Sequence, residues 1–262
     1  MPTLRHQALA LLLVCDPDAK AARTRALSID APAGGELALA EPPALPGRPA
    51  APRLVEPSAL KPRPVHTREG RAALLHALAH IELNAIDLAL DATWRFAGMP
   101  DAFYADWLRV AREEALHFEL LRDHLAGLGH RYGDCPAHNG LWEMAHKTRH
   151  DVLARVALVP RTLEARGLDA SPPIRAKLAA AGDAEGAAIL DVILRDEIGH
   201  VAIGNHWYRW LCEARGLDPA SAYAALAAEH GAPRLRGPFN VAARRAAGFD
   251  EAELARLQAA GR

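Results

Sequence analysis

From residue 68 onward, apolar side chains recur at three- and four-residue intervals in long blocks separated by glycine and proline. Residues 68–97 (REGRAALLHALAHIELNAIDLALDATWRFA) form the first block, which ends at Gly98 and Pro100 and predicts a long amphipathic helix. Asp101 is placed to cap a second helix reaching about Ala126, closed by Gly127 and Gly129. The segment 129–140 (GHRYGDCPAHNG) reads as a connector. A third helix is expected from about Leu141 to Arg166, stopped at Gly167, with Pro160 kinking or splitting its last turns. Pro172-Pro173 opens a short helix to Ala181. Asp183 caps a long one from about Ala184 to Arg215, stopped by Gly216 and Pro219. The tail, 220–262, holds one or two short helices around the loop GAPRLRGPFN. No segment alternates like a strand for more than a few residues, so the predicted fold class is all-α. Four long helices make a four-helix bundle. Its 12-residue connector, about 40 Å when extended, is long enough to cross from one end of a bundle to the other.

The first 66 residues follow a different pattern. Ala8–Cys15 (ALALLLVC) follows Arg5 and His6 and resembles a short signal-peptide core. A run of eight apolar residues fits a short helix of a globular chain better, and no run approaches the ~20 apolar residues that span a bilayer. Asp16-Pro17 begins a second short helix. Prolines at 32, 42, 43, 46, 49, 52, 57, 62 and 64 then exclude regular helix and central strand, leaving an extended arm. The expected organisation is an N-terminal region with a Pro-rich arm (1–66), a four-helix bundle (67–216) and a C-terminal helical extension (217–262).

Composition supports helix over sheet, because the apolar half of the chain is mainly Ala and Leu. Lys plus Arg number 31 against 32 acids, so no overall basic field marks a nucleic-acid binder. Arg234, Arg236, Arg244 and Arg245 form a modest basic cluster, read as solvated surface. Cys15, Cys135 and Cys212 are odd in number and widely spaced, which argues against a disulfide scaffold and for a reducing, cytoplasmic setting. Histidine, at 13, is the unusual count.

Candidate chemistry lies in three Glu-x-x-His tetrads: Glu114/His117, Glu143/His146 and Glu197/His200. On a helix, positions i and i+3 share a face, so each tetrad directs a carboxylate and an imidazole toward one point. With 16 Glu and 13 His in 262 residues, chance supplies about one such tetrad. Order and spacing are more informative than the count. Glu82 lies on the first long helix, 32 residues before Glu114; Glu164 lies on the third, 33 residues before Glu197. The resulting set, Glu82, Glu114, His117, Glu164, Glu197 and His200, comprises two lone Glu and two Glu-x-x-His. That donor set suits a pair of first-row transition metals in a helical bundle. Glu82 is flanked by Ile81, Leu83 and Ile86, and Glu197 by Ile193, Leu194, Ile198 and Val201. An acid in such apolar company costs several kcal/mol unless paired or ligated. Asp196 and Glu113 each stand four residues before a ligand histidine and are candidates to orient it. No catalytic residue beyond the ligands is indicated.

Other residues have plainer readings. Glu143/His146 lies five turns, about 27 Å of helix, before Glu164 and is the chance tetrad. His76 and His80 are spaced i, i+4 but are not in register with Glu82. Trp107 reads as core packing. Glu164 is the weakest ligand, since Gly167 would end its helix three residues later, whereas Glu197 lies 14 residues into its own.

The strings HIELNAIDLALD (80–91), FYADWLRVAREEALHFELL (103–121), YGDCPAHNGLWE (132–143), VPRTLEARGLDASP (159–172), GDAEGAAILDVILRDEIGHVAIGNHWYRWLC (182–212) and RGPFN (236–240) resemble the ferritin-like di-iron carboxylate superfamily. They are most similar to an uncharacterised bacterial group of ferritin-like proteins and, more distantly, to tRNA hydroxylases, whose ligand order is comparable. The resemblance implies a carboxylate-bridged pair of Fe ions, or Mn, at the six residues above, with dioxygen as co-substrate. It leaves the substrate open, a small molecule or tRNA, and implies no membrane partner. The expected function is that of a di-iron oxygenase or hydroxylase. The alternatives are di-manganese peroxide disproportionation and iron sequestration without catalysis. The arm and the RGPFN tail are candidates for a pocket lid. The oligomeric state is not legible.

Overall fold

The computed structural model describes residues 2–260. The chain divides into two compact units, Met1–Glu143 with Leu178–Ile189, and Met144–Lys177 with Leu190–Arg262. All regular elements among the described residues are helical, apart from one isolated parallel bridge, Leu54–Ala137.

The first unit contains α1 (Leu4–Leu12), α2 (Pro17–Arg25), α3 (Arg68–Arg95) and α4 (Asp101–Gly127). Side chains cap three of them. Thr3 Oγ1 accepts from His6 N, Asp16 Oδ1 from Ala19 N (2.7 Å), and Thr67 Oγ1 from Gly70 N (3.0 Å). Asp101 does not cap α4 as expected. Pro100 occupies the cap and Asp101 is the first helical residue, where its charge still favours the helix N-terminus. Arg68 Nε donates to Leu128 O (2.9 Å), which sets the start of α3 beside the end of α4. Leu75, Ile86 and Leu90 of α3 and Phe118 and Leu121 of α4 are all fully buried. Each such side chain contributes about 1.5–3 kcal/mol of burial.

Contrary to the expectation from counting apolar runs, α3 contains an 18-residue window of mean hydropathy 1.3, long and apolar enough to cross a membrane. Of that window 72% is buried within the fold.

Residues 30–66 carry no helix except the one-turn 3-10 segment Pro57–Ala59. Side chains rather than repeated backbone pairing hold this stretch in place. Arg5, buried, donates to Gly34 O (3.0 Å) and to Trp94 O, and Val55 N donates to Ala137 O (2.8 Å).

In the second part of the chain the expected third helix is broken. It is replaced by α5 (Gly140–Lys147), α6 (Val152–Leu158), a π-helical segment (Val159–Glu164) and α7 (Ala165–Ala180). The break after α5 has local causes. Thr148 Oγ1 donates back to Met144 O (2.8 Å), Arg155 takes Ala145 O (2.6 Å), and Asp151 Oδ1 caps α6 at Leu153 N (3.1 Å). The disruption expected at Pro160 takes the form of the π segment, in which Thr162 Oγ1 donates to Ala157 O (2.7 Å).

Gly167 does not stop a helix and Pro172-Pro173 does not start one. Both lie inside α7. A proline at 172 deprives Leu168 O of its helical donor; Asn240 Nδ2 supplies one at 3.2 Å, and Ser171 Oγ takes Gly167 O at 2.8 Å. α8 (Ala184–Ala214) is capped by Asp183 through Gly186 N (2.9 Å), as its sequence predicts. α9 (Pro219–Glu229), α10 (Val241–Ala246) and α11 (Glu251–Ala260) follow. The second unit's core joins Ala165 and Leu168 of α7, Val201 of α8, and Ala243, Ala247, Phe249 and Leu254 of the tail.

Candidate metal centre

Within the first unit, α3 supplies Glu82 and α4 supplies Glu114 and His117. Their relative exposures are 4%, 0% and 0%. His117 Nδ1 lies 3.3 Å from Glu114 Oε2 and 3.4 Å from Glu82 Oε2. One ligating atom from each residue falls within 4.8 Å of the others, a spacing that could hold a metal ion. Two regular helices achieve this because Glu114 and His117 are one turn apart on α4, while Glu82 sits where α3 faces α4.

The electrostatics are those of an acid pair around one imidazole. Burial pushes the Glu82 carboxyl up to about 8, and the Glu114 charge pushes in the same direction against the opposing pull of His117. Burial alone would lower the His117 pKa; hydrogen bonds and charges from Glu114 and Glu82 outweigh it and hold the imidazole well above its usual 6.5. A divalent cation would neutralise both carboxylates and displace these protons.

Within the second unit, α8 carries the buried pair Glu197 and His200, with His200 Nδ1 3.9 Å from Glu197 Oε2. A Cβ on Gly167 would lie 3.9 Å from the Glu197 carboxyl carbon, so α7 passes closely beside this acid. Glu164 closes the π segment one turn before Gly167 and is half-buried. Because α7 continues to Ala180, the concern that Glu164 sat at a helix end disappears. Gly204 of α8 lets the π segment approach closely: a Cβ there would lie 2.7 Å from Pro160 Cβ.

Among the proposed orienting acids, Asp196 is half-buried and bound by Arg195 (2.8 and 3.0 Å), and Glu113 is half-buried. Glu143 and His146 are exposed on α5, and His146 O accepts from Arg149. His76 and His80 are buried and engaged by protein groups. Gly133 N donates to His76 Nε2 (2.9 Å), while His80 contacts Tyr132 OH (2.8 Å) and His138 O (3.0 Å). Burial lowers the His80 pKa to about 4. Trp107 packs edge-on against Phe103 in the core. The basic cluster read as surface is corrected at Arg244. This residue is fully buried, paired with Asp169 at 2.6 Å, and stacked near Phe239 and Phe249, so its charge is consumed inside the second unit.

Sequence reasoning overlooked Lys20 and Asp87, a fully buried ion pair between α2 and α3. The available signal was Asp87 itself, a second acid on the apolar helix five residues after Glu82.

Residues 13–255 match a family described as "Protein of unknown function (DUF455)". The chain belongs to this family. A relative from Haemophilus influenzae, described as an uncharacterized protein, is 53% identical over 213 residues, covering 79% of this chain and 74% of the relative. No solved structure matches the chain significantly. The comparisons therefore establish kinship, and the chemistry has to be argued from the residues.

Proposed function

We propose that the chain is a ferritin-like, two-metal oxidoreductase of the oxygenase or hydroxylase type, with Glu82, Glu114, His117, Glu164, Glu197 and His200 as ligands. The observation that carries this reading is the buried Glu82–Glu114–His117 cluster, in which two acids face each other and a histidine, with one ligating atom of each close enough to hold a single metal ion. The Glu197–His200 pair on α8 repeats the same i, i+3 chemistry.

Mixed carboxylate and imidazole donors fit iron or manganese. When bound, a redox-active metal pair would supply the electrons that reduce dioxygen during substrate oxidation. The chain's own residues perform the remaining tasks. Glu82 and Glu114 offer carboxylate oxygens to the metal site. His117 offers one ring nitrogen, and gives up its proton to do so. Burial of Glu82, Glu114 and His117 keeps bulk water from the first cluster. Three free cysteines accord with a reducing, cytoplasmic setting.

The test is anaerobic loading of the purified chain with ferrous iron, metal counting, and optical spectra before and after oxygen exposure. Two irons per chain with an oxygen-dependent absorbance change is the expected result. Unchanged stoichiometry in the double variant Glu114→Ala/His117→Ala would remove the proposed ligands. Preferential retention of manganese with peroxide disproportionation would move the reading to a catalase-like enzyme. Iron uptake beyond two per chain would move it to sequestration.

A further inference from the structure

A polar cleft lies in the first unit, on a different side of α3 from Glu82. Its polar lining includes Lys20, Asn84, Asp87 and Tyr132 together with Arg48 of the proline-rich stretch, and its apolar lining includes Pro17, Pro49, Pro52 and Leu54. Its volume is about 390 Å³, part of which is open to solvent. The cleft opens to solvent, so a small polar head can reach its lining.

The lining charges do not cancel. Lys20 is committed to Asp87 as a buried ion pair, and its ammonium also donates to Gly47 O (3.0 Å). Arg48 has neutral partners: Nη2 donates to Asn139 Oδ1 (2.6 Å), and the guanidinium lies 6.0 Å over the Trp142 ring. Asp87 acts on this partly buried guanidinium only through its charge, with no direct hydrogen bond, and the planar fork is shaped to take two oxygens at once. The cleft thus carries surplus positive charge inside and apolar walls outside.

We propose that this cleft binds a small organic carboxylate, its oxygens on Arg48 and its short apolar body against Pro49, Pro52 and Leu54. The pairing of Lys20 with Asp87 keeps the acid from repelling the ligand. The site uses none of the six proposed metal ligands.

Isothermal titration of the full chain with acetate, butyrate, hexanoate, inorganic phosphate and butylamine tests the assignment. Saturable one-to-one binding of the carboxylates is expected, tightening about fourfold per methylene from acetate to butyrate, the ratio that about 0.8 kcal/mol per buried methylene gives. Arg48→Gln should weaken butyrate at least tenfold. If that variant does not fold, Leu54→Glu, at an exposed position on the rim, should weaken butyrate at least fivefold with an unchanged melting temperature. Absence of saturable binding, equal binding of butylamine, tighter binding of phosphate than of butyrate, or full affinity in a folded Arg48→Gln variant would each overturn the proposal.

Discussion

Helix α3 buries acids in two contrasting ways. Asp87, 3% exposed, meets Lys20 from α2, and Asp91, fully buried, is held by Arg95 (2.8 Å) and Trp94 Nε1 (3.1 Å). Glu82, 4% exposed, meets Glu114 and His117. Five residues separate Glu82 from Asp87, which turns them to different sides of the helix. Burial raises the carboxyl pKa of both. At Asp87 the Lys20 charge works against that rise, whereas at Glu82 a second acid adds to it. The first arrangement is complete without a ligand. The second gathers two carboxylates about one imidazole, a donor set that a cation can take up, and for that reason it is a candidate site.

Five variants test this contrast and the packing around it. The largest effect is expected for Lys20→Met, which strands Asp87 and should cost about 3–5 kcal/mol in a denaturant titration. The double variant Lys20→Met/Asp87→Leu should recover most of that loss, because the pair then vanishes together. A smaller loss, about 1–3 kcal/mol, is expected for Gly204→Ala, whose new methyl meets the Pro160 ring; melting curves would read it.

Glu82→Gln should act in the opposite direction. Its removal relieves the metal-free acid cluster, raising stability by at least ~1 kcal/mol at pH 8 while reducing metal uptake. The pH dependence follows from the same residue. A carboxyl whose folded pKa is raised from its ordinary 4.5 to about 8 contributes stability that is complete below 4.5 and is lost as pH rises through 8. The raised pKa of His117 has the same sign. Denaturation midpoints of the metal-free protein should therefore fall across that window in the wild type, and less in Glu82→Gln. Smallest of all, Glu143→Ala/His146→Ala should change stability by no more than ~0.5 kcal/mol and leave metal stoichiometry untouched, since both side chains are exposed.

Helix placement was largely legible in the chain. The α3, α4 and α8 segments carry long periodic stretches with clear stops, and Asp16 and Asp183 cap as their positions predict. Errors gathered between residues 140 and 181, where local signals compete. Gly167 and Pro172-Pro173 have every sequence mark of punctuation, yet α7 runs through them because Asn240, some 70 residues away, supplies a donor the proline removed. Thr148 and Asp151 divide what periodicity joins. Arg244 looked like surface charge because Asp169, its partner, is distant in sequence.

For the candidate centre, sequence alone determined the donor types and their helical spacing, since i, i+3 geometry is a property of any α-helix. It also implied that acids among Ile, Leu and Val need a reason to be there. Tertiary structure alone decided which acid meets which neighbour. Packing α3 on α4 brings Glu82 to Glu114 and His117, and packing α2 on α3 answers Asp87 with Lys20. For Glu82 and Asp87 the charge that matters comes from another helix, and no local pattern in α3 can specify that partner, whereas Asp91 finds Arg95 one turn along its own helix.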